Sequence, residues 1–249
     1  MKRPSDDAGL SPQEQVRLAS GPDPKVRRTI AERQDLTEAA ARMLATDPRR
    51  SIRLAVAKNA FAPPDVLRDL SADASWDVRW AALQNRAADD AALLAAIDDS
   101  DEALAPVGQR GDDLSARLLQ RVFEATDPRG REQLAWATTS ADVLIRLASD
   151  ESQRVRRAVA ESPHADSSTI RRLARDARAE VRAAVAHRHE LPAECLADFA
   201  RDRSAHVRFN LLVAHCDNVA LAKLLADDVD PTVRMQARAM LTISDNEGV

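Results

Sequence analysis

Along much of the chain a hydrophobic residue is followed at once by arginine, and a second apolar position comes four residues after the first. The pairs are Val26-Arg27, Ile52-Arg53, Val78-Arg79, Val155-Arg156, Val181-Arg182, Val207-Arg208 and Val233-Arg234, and the interval is constant wherever neighbouring copies are clear. The partners four residues on include Ile30, Val56, Val159, Val185 and Leu211. That spacing places two side chains on one face of a helix, and the face must be buried. Ahead of each such segment stands a shorter run with Pro or Ser at its start and Leu or Phe at helical intervals, as in PPDVLRDL (63–70), SSTIRRLA (167–174) and PAECLADFA (192–200). Proline is tolerated in a first helical turn, where its missing N–H has no partner to lose.

Each unit therefore reads as two short helices, too small to bury their own apolar faces, so that stacking on neighbours supplies the core. Between Val78 and Val155 two degenerate units fit, carried by DEALAPVGQR (101–110) and DPRGREQLAWA (127–137). The pattern predicts an all-α, right-handed superhelical α-solenoid of about nine two-helix repeats, each of roughly 26 residues, a period typical of such arrays. One solenoid is expected over 10–241, with tails at 1–9 and 242–249. In the degenerate stretch, 87–137, the arginine slot reads as Ala103, Pro106 and Gly108 interrupt the helical pattern, and Gly130 replaces the anchoring hydrophobe, so bending or loosening is expected there.

The consensus of these units, LPxxxLxxLAxDxxxxVRxAVAxx, resembles the leucine-rich repeat variant motif, a relative of HEAT repeats. The match is strong at 44–60, 70–85, 147–163, 173–189 and 199–215 and weak at 87–137. The resemblance implies an α-helix alternating with a shorter helix, of 3₁₀ type in that family. One member carries a Cys-rich iron–sulfur module ahead of its repeats. No Cys precedes Cys195 in this chain, so that cofactor is not carried over and none is expected. The resemblance supplies a fold and no reaction.

An acid recurs six residues before each of six arginines: Asp47/Arg53, Asp73/Arg79, Asp150/Arg156, Asp176/Arg182, Asp202/Arg208 and Asp228/Arg234. One reading is a row of acid–base or phosphate-binding groups. The other is a structural ladder in which Asp caps the second helix and accepts from an Arg fork of its own or the adjacent unit. Repetition favours the ladder, because catalysis needs one asymmetric constellation whereas every unit needs the same turn closed.

Composition narrows the remaining choices. Hydrophobic residues make up 45% and charged residues 31%, enough for a packed core, while aromatics are only 3% and Tyr is absent. Net charge is −4, which removes the global attraction to nucleic acid or anionic lipid that a basic domain would have. From Arg86 to Asp127 ten acidic residues face four arginines, a local balance of −6 that leaves about +2 for the rest. Two cysteines and no apolar leader suggest a reducing, cytoplasmic home, and no segment has membrane-spanning length.

Residues that break the repeat are the candidates for function. Trp76 and Trp80 flank Val78, Trp136 lies in a degenerate unit, and Phe209 occupies the slot equivalent to Trp80; these four are the candidate binding anchors, since aromatics dominate interface hot spots. His187, His189, Cys195, His206, His215 and Cys216 cluster late in the sequence, with His189 and His215 at equivalent slots, but their spacing fits no metal motif, so no metal is expected. Among only six glycines there is no phosphate loop, nucleophile elbow or kinase signature. The leading expectation is a non-catalytic scaffold that binds an unidentified protein partner along the surface of its second helices. The alternative is a helical-repeat DNA-binding protein or alkylpurine-type DNA glycosylase, which would recruit Trp76, Trp80 or Trp136 with an acid such as Asp77. A third reading has exposed end units stacking into homo-oligomers.

Overall fold

The computed structural model describes residues 9–247, without the side chains of Ala193 and 243–247. The expected N-terminal tail falls almost wholly outside these residues. Eighteen α-helices and two 3₁₀ turns, and no strand, occur among the described residues. The helices follow one another as nine pairs, and the chain divides into two compact units, one ending at Gly130 and one beginning at Arg131.

The first unit contains α1 (Pro12–Ala19), α2 (Pro24–Ala31), α3 (Glu38–Ala45), α4 (Arg50–Lys58), α5 (Pro64–Leu70), α6 (Trp76–Gln84), α7 (Asp90–Asp99), α8 (Leu104–Gly108) and α9 (Ala116–Glu124). The division falls within α10 (Arg129–Ala137). The second unit continues with α11 (Ala141–Leu147), α12 (Gln153–Glu161), α13 (Ser167–Leu173), α14 (Ala179–Ala186), α15 (Ala193–Ala200), α16 (Ala205–Ala214), α17 (Val219–Leu225) and α18 (Pro231–Glu247). The last helix runs past Leu241 into the stretch expected to be a tail.

Within each unit, first helices pack on first helices and second helices on second helices. Thus α1, α3, α5 and α7 form one layer of the first unit and α2, α4, α6 and α8 the other, while α12, α14, α16 and α18 form one layer of the second. Each unit is a helical-repeat solenoid. The anchoring hydrophobes Ile52, Val78, Val155, Val181, Val207 and Val233 are at most 1% exposed. Val26, in the first pair among the described residues, is half-buried. Leu44, Leu67, Leu93, Leu144, Leu173 and Phe199 fill the space between the layers.

The first helices are α-helical, where the resemblance implied 3₁₀ geometry. In six of them Ser11, Asp89, Ser115, Ser140, Asp166 and Asn218 each accept an N–H of the first turn, which satisfies one of its orphan donors. Among the described residues the 3₁₀ turns are Asp101–Ala103 and Gly111–Asp113, both in the degenerate stretch. There Leu104, fully buried, holds the anchoring position one repeat after Val78. The arginine slot is therefore Ala105 rather than Ala103.

The packing at this point is tight, contrary to the loosening expected. A Cβ on Gly108 would stand 2.0 Å from the Gly130 carbonyl oxygen, and one on Gly130 would stand 2.9 Å from that of Leu104. Both glycines permit a backbone approach that no larger residue allows.

Candidate functional site

The Asp and Arg of the repeat form a ladder between successive helix pairs, not a row of free groups. Each Arg grips an Asp of the next pair: Arg53 Nε meets Asp73 at 2.6 Å, Arg156 meets Asp176 at 2.6 Å, Arg182 meets Asp202 at 2.7 Å and Arg208 meets Asp228 at 2.7 Å. Arg27–Asp47 and Arg131–Asp150 are equivalent, at 2.5 and 2.6 Å. The Asp six residues earlier contributes its backbone carbonyl instead, as in Arg53 Nη1 to Asp47 O at 2.9 Å and Arg182 Nη1 to Asp176 O at 2.7 Å.

The capping role expected of Asp is therefore modified. Asp47, Asp73, Asp150, Asp176, Asp202 and Asp228 accept the N–H two residues ahead, at 2.8 to 2.9 Å, which fixes the turn just before the helix rather than its first turn. The Arg53 and Arg208 guanidinium groups hold the Asp73 and Asp228 carboxyls below the usual carboxylate range. At Asp202 burial pushes upward, and Arg182 with the Ser204 N–H overcomes it.

Two members of the ladder depart from this pattern. Arg79 Nη1 reaches the Asp73 carbonyl at 2.9 Å, but its Nη2 turns to Glu102 at 2.7 Å. Asp99, which stands one repeat after Asp73, receives no partner among the described residues. Arg234, on α18, bonds the carbonyls of Asp228 and Val229 and, among the described residues, no carboxylate.

A second ladder escaped the sequence reading. Asn59 Nδ2 donates to the carbonyls of Ala31 and Arg33, both at 2.7 Å, and Asn85 Nδ2 donates to those of Ala57 and Asn59, at 2.9 and 2.7 Å. Arg110 does the same to Leu83 and Asn85, and Arg188 to Ala160 and Ser162. These side chains satisfy the orphan carbonyls at the end of the preceding second helix. Burial lowers the affinity of Arg110 and Arg188 for their protons. The available signal was Asn at 59 and again at 85, one repeat apart.

The aromatic candidates fall in different places. Trp76 and Trp80, on one face of α6, lie with ring centroids 4.8 Å apart at 38°; Trp76 is 52% exposed and Trp80 is half-buried. Trp136 lies in the second unit on α10, exposed, and Phe209 is half-buried on α16. Three hollows follow the second helices of the first unit. The first, about 360 Å³, lies over α2 and α4 and includes Leu54, Lys58 and Phe61. The next, about 430 Å³, shares Leu54 and Lys58 and adds Trp76, Asp77 and Trp80. The largest, about 720 Å³, shares both Trp and continues to Asp99, Glu102 and Pro106.

Most of the charges lining these hollows already have ion-pair partners. Arg28 pairs with Glu32, Arg33 with Asp35, Arg68 with Asp89, Arg79 with Glu102 and Asp77 with Arg50. Lys58 is the one lining cation without an ion-pair partner among the described residues.

In the second unit, His189 Nδ1 lies 3.1 Å from the Ala214 carbonyl. Burial lowers the His215 pKa, against a hydrogen bond with the Arg188 backbone. Cys195 is buried and its thiol is pushed up by that burial, while Cys216 is exposed. No group of three His, Cys, Asp or Glu placed to hold a metal occurs among the described residues, and no helix among them is long and apolar enough to cross a membrane.

The geometry has a counterpart among solved structures. A protein described as a leucine-rich repeat variant with a novel repetitive structural motif superposes with a TM-score of 0.55 at 22% identity, over 94% of this chain and 88% of that one. This chain shares that fold. An engineered protein (TM-score 0.30, 15% identity, 95% of this chain and 92% of the other) and a designed armadillo repeat protein in complex with the peptide (KR)4 (TM-score 0.22, 17% identity, 92% and 97%) superpose less well. No family model matches the chain, and no curated protein matches it.

Proposed function

We propose that the chain is a non-catalytic interaction scaffold whose first unit holds an extended segment of a protein partner along α2, α4, α6 and α8. The observation that carries this reading is the run of three adjoining hollows with the Trp76–Trp80 pair shared between two of them. An aromatic pair with one ring exposed and one half-buried, flanked by hollows, offers apolar area at low entropic cost, as interface anchors do. The mixed, mutually neutralised lining also favours a protein segment. Nucleic acid would call for a strip of free cations, and among the described residues Lys58 is the one lining cation without an ion-pair partner. For the base-excising alternative, Asp77 is the acid beside the Trp pair, and Arg50 holds it at 3.0 Å.

The test is panning of a phage-displayed random dodecapeptide library on the whole protein. Enriched peptides are expected to bind the wild type and to lose affinity by about tenfold or more with Trp76→Ser, in line with removal of a hot-spot aromatic. Because Trp76 is half exposed, the fold survives this change, as circular dichroism will confirm. A library that yields no binder, or binders indifferent to Trp76→Ser, overturns the proposal. Gel shifts with duplex DNA at low salt, where electrostatic attachment is strongest, are expected to be absent.

A further inference from the structure

Building on the peptide-binding reading above, we infer that the segment held over Trp76 and Trp80 presents a basic side chain toward α7–α8 and an acidic side chain toward α4. Helix α6 packs between α4 and α8, and its two Trp line the hollow on either side. The two hollows differ in the one charge each leaves unanswered.

On the α7–α8 side, Arg68, Asp73 and Arg79 are already paired, with Asp89, Arg53 and Glu102. Asp99 is not. It occupies the ladder position that in neighbouring pairs receives the preceding Arg; here Arg79 has gone to Glu102 and the brace stands open beside the aromatic pair. On the α4 side Asp77 is taken by Arg50 at 3.0 Å, and Lys58 remains.

A guanidinium or ammonium group facing Asp99 gains a charge-assisted hydrogen bond and lies against indole faces, whose quadrupole attracts cations. The local excess of ten acidic residues over four arginines between Arg86 and Asp127 reinforces that attraction. A carboxylate facing Lys58 completes the other hollow. A uniformly basic or uniformly acidic segment meets one favourable and one like charge, so the pattern selects a segment with both signs.

The experiment uses synthetic, Trp-free forms of the peptides enriched by panning. Binding is read by calorimetry and by tryptophan fluorescence on a Trp136→Phe background, where only Trp76 and Trp80 emit. Enriched peptides are expected to carry both a basic and an acidic residue. Changing the basic residue to Gln is expected to weaken binding about tenfold to the wild type and not to Asp99→Asn. Changing the acidic residue to Gln is expected to weaken binding severalfold to the wild type and not to Lys58→Gln. Asp99 and Lys58 are both exposed, so neither variant disturbs the fold.

Trp76-dependent peptides without this charge pattern, or neutralised peptides that bind the wild type unchanged, overturn the inference and leave the peptide-binding reading standing. Panning that yields no Trp76-dependent peptide overturns both.

Discussion

Replacing Arg182 by Met tests whether the ladder holds successive helix pairs together. The Arg182 side chain is 7% exposed and that of Asp202 9%. The substitution removes two parallel bonds to the carboxylate, at 2.7 and 2.9 Å, and two to backbone carbonyls, at 2.7 and 3.2 Å. What remains is a carboxylate out of water with one partner, the Ser204 N–H at 2.8 Å. Breaking a buried pair from one side costs about 3–5 kcal/mol, chiefly because the surviving charge is uncompensated. Arg28→Gln is the control: Arg28 and Glu32 are 58% and 52% exposed, and an exposed i,i+4 pair contributes about 0.5 kcal/mol or less. If the uncompensated charge dominates, the double variant Arg182→Met with Asp202→Asn is less damaged than Arg182→Met alone, since Asn keeps the turn bond and sheds the charge. Urea unfolding followed by far-UV circular dichroism gives the three free energies. Hydrogen exchange over 193–228 reports whether loss begins at the severed junction, as nearest-neighbour stability predicts. Equal costs for Arg182→Met and Arg28→Gln, or a double variant as damaged as Arg182→Met alone, would refute the reasoning.

Three further outcomes follow from the same contacts. Because Arg53 and Arg208 hold Asp73 and Asp228 below their unfolded values, their stabilisation is complete well above about pH 4 and is lost as pH falls through the folded values; the urea midpoint should drop steadily below about pH 5, and a flat midpoint down to pH 3 would contradict this. Gly108→Ala should destabilise by about 3 kcal/mol, although helix propensity alone predicts a gain of about 1 kcal/mol, because the new methyl meets the Gly130 carbonyl at 2.0 Å; the shift in thermal midpoint gives the sign. Asn85→Leu, close in shape, leaves the Ala57 and Asn59 carbonyls without their donor and should cost about 2–4 kcal/mol in urea unfolding; a loss under about 1 kcal/mol would show that the second ladder is dispensable.

Much of the architecture was legible before any coordinate. The spacing of Val155 and Val159, or Val181 and Val185, marks a buried helical face because 3.6 residues per turn brings i and i+4 together. Trp76 and Trp80 were read only as flanking Val78, and the structure puts their rings side by side on α6. Proline and small polar residues marked helix starts through chemistry confined to one turn. The second ladder was less legible, since its members differ in type: Asn59, Asn85, Arg110 and Arg188 share a task but no common side chain. The degenerate stretch misled for a related reason. Gly108 and Gly130 read as helix breakers when each is taken alone, and their value lies in facing one another.

The sequence alone thus determined the period, the two helices of each unit and the residues that anchor them, because all of these are set within a few turns of chain. Only the tertiary structure decided that Arg182 reaches forward to Asp202 and merely touches the backbone of Asp176. The same holds for Arg79, which left Asp99 for Glu102, and for the run of hollows that ends up beside Trp76. Such choices depend on the distance and rotation between stacked pairs, which arise from the packing of every interface at once and leave no local signature in the order of residues.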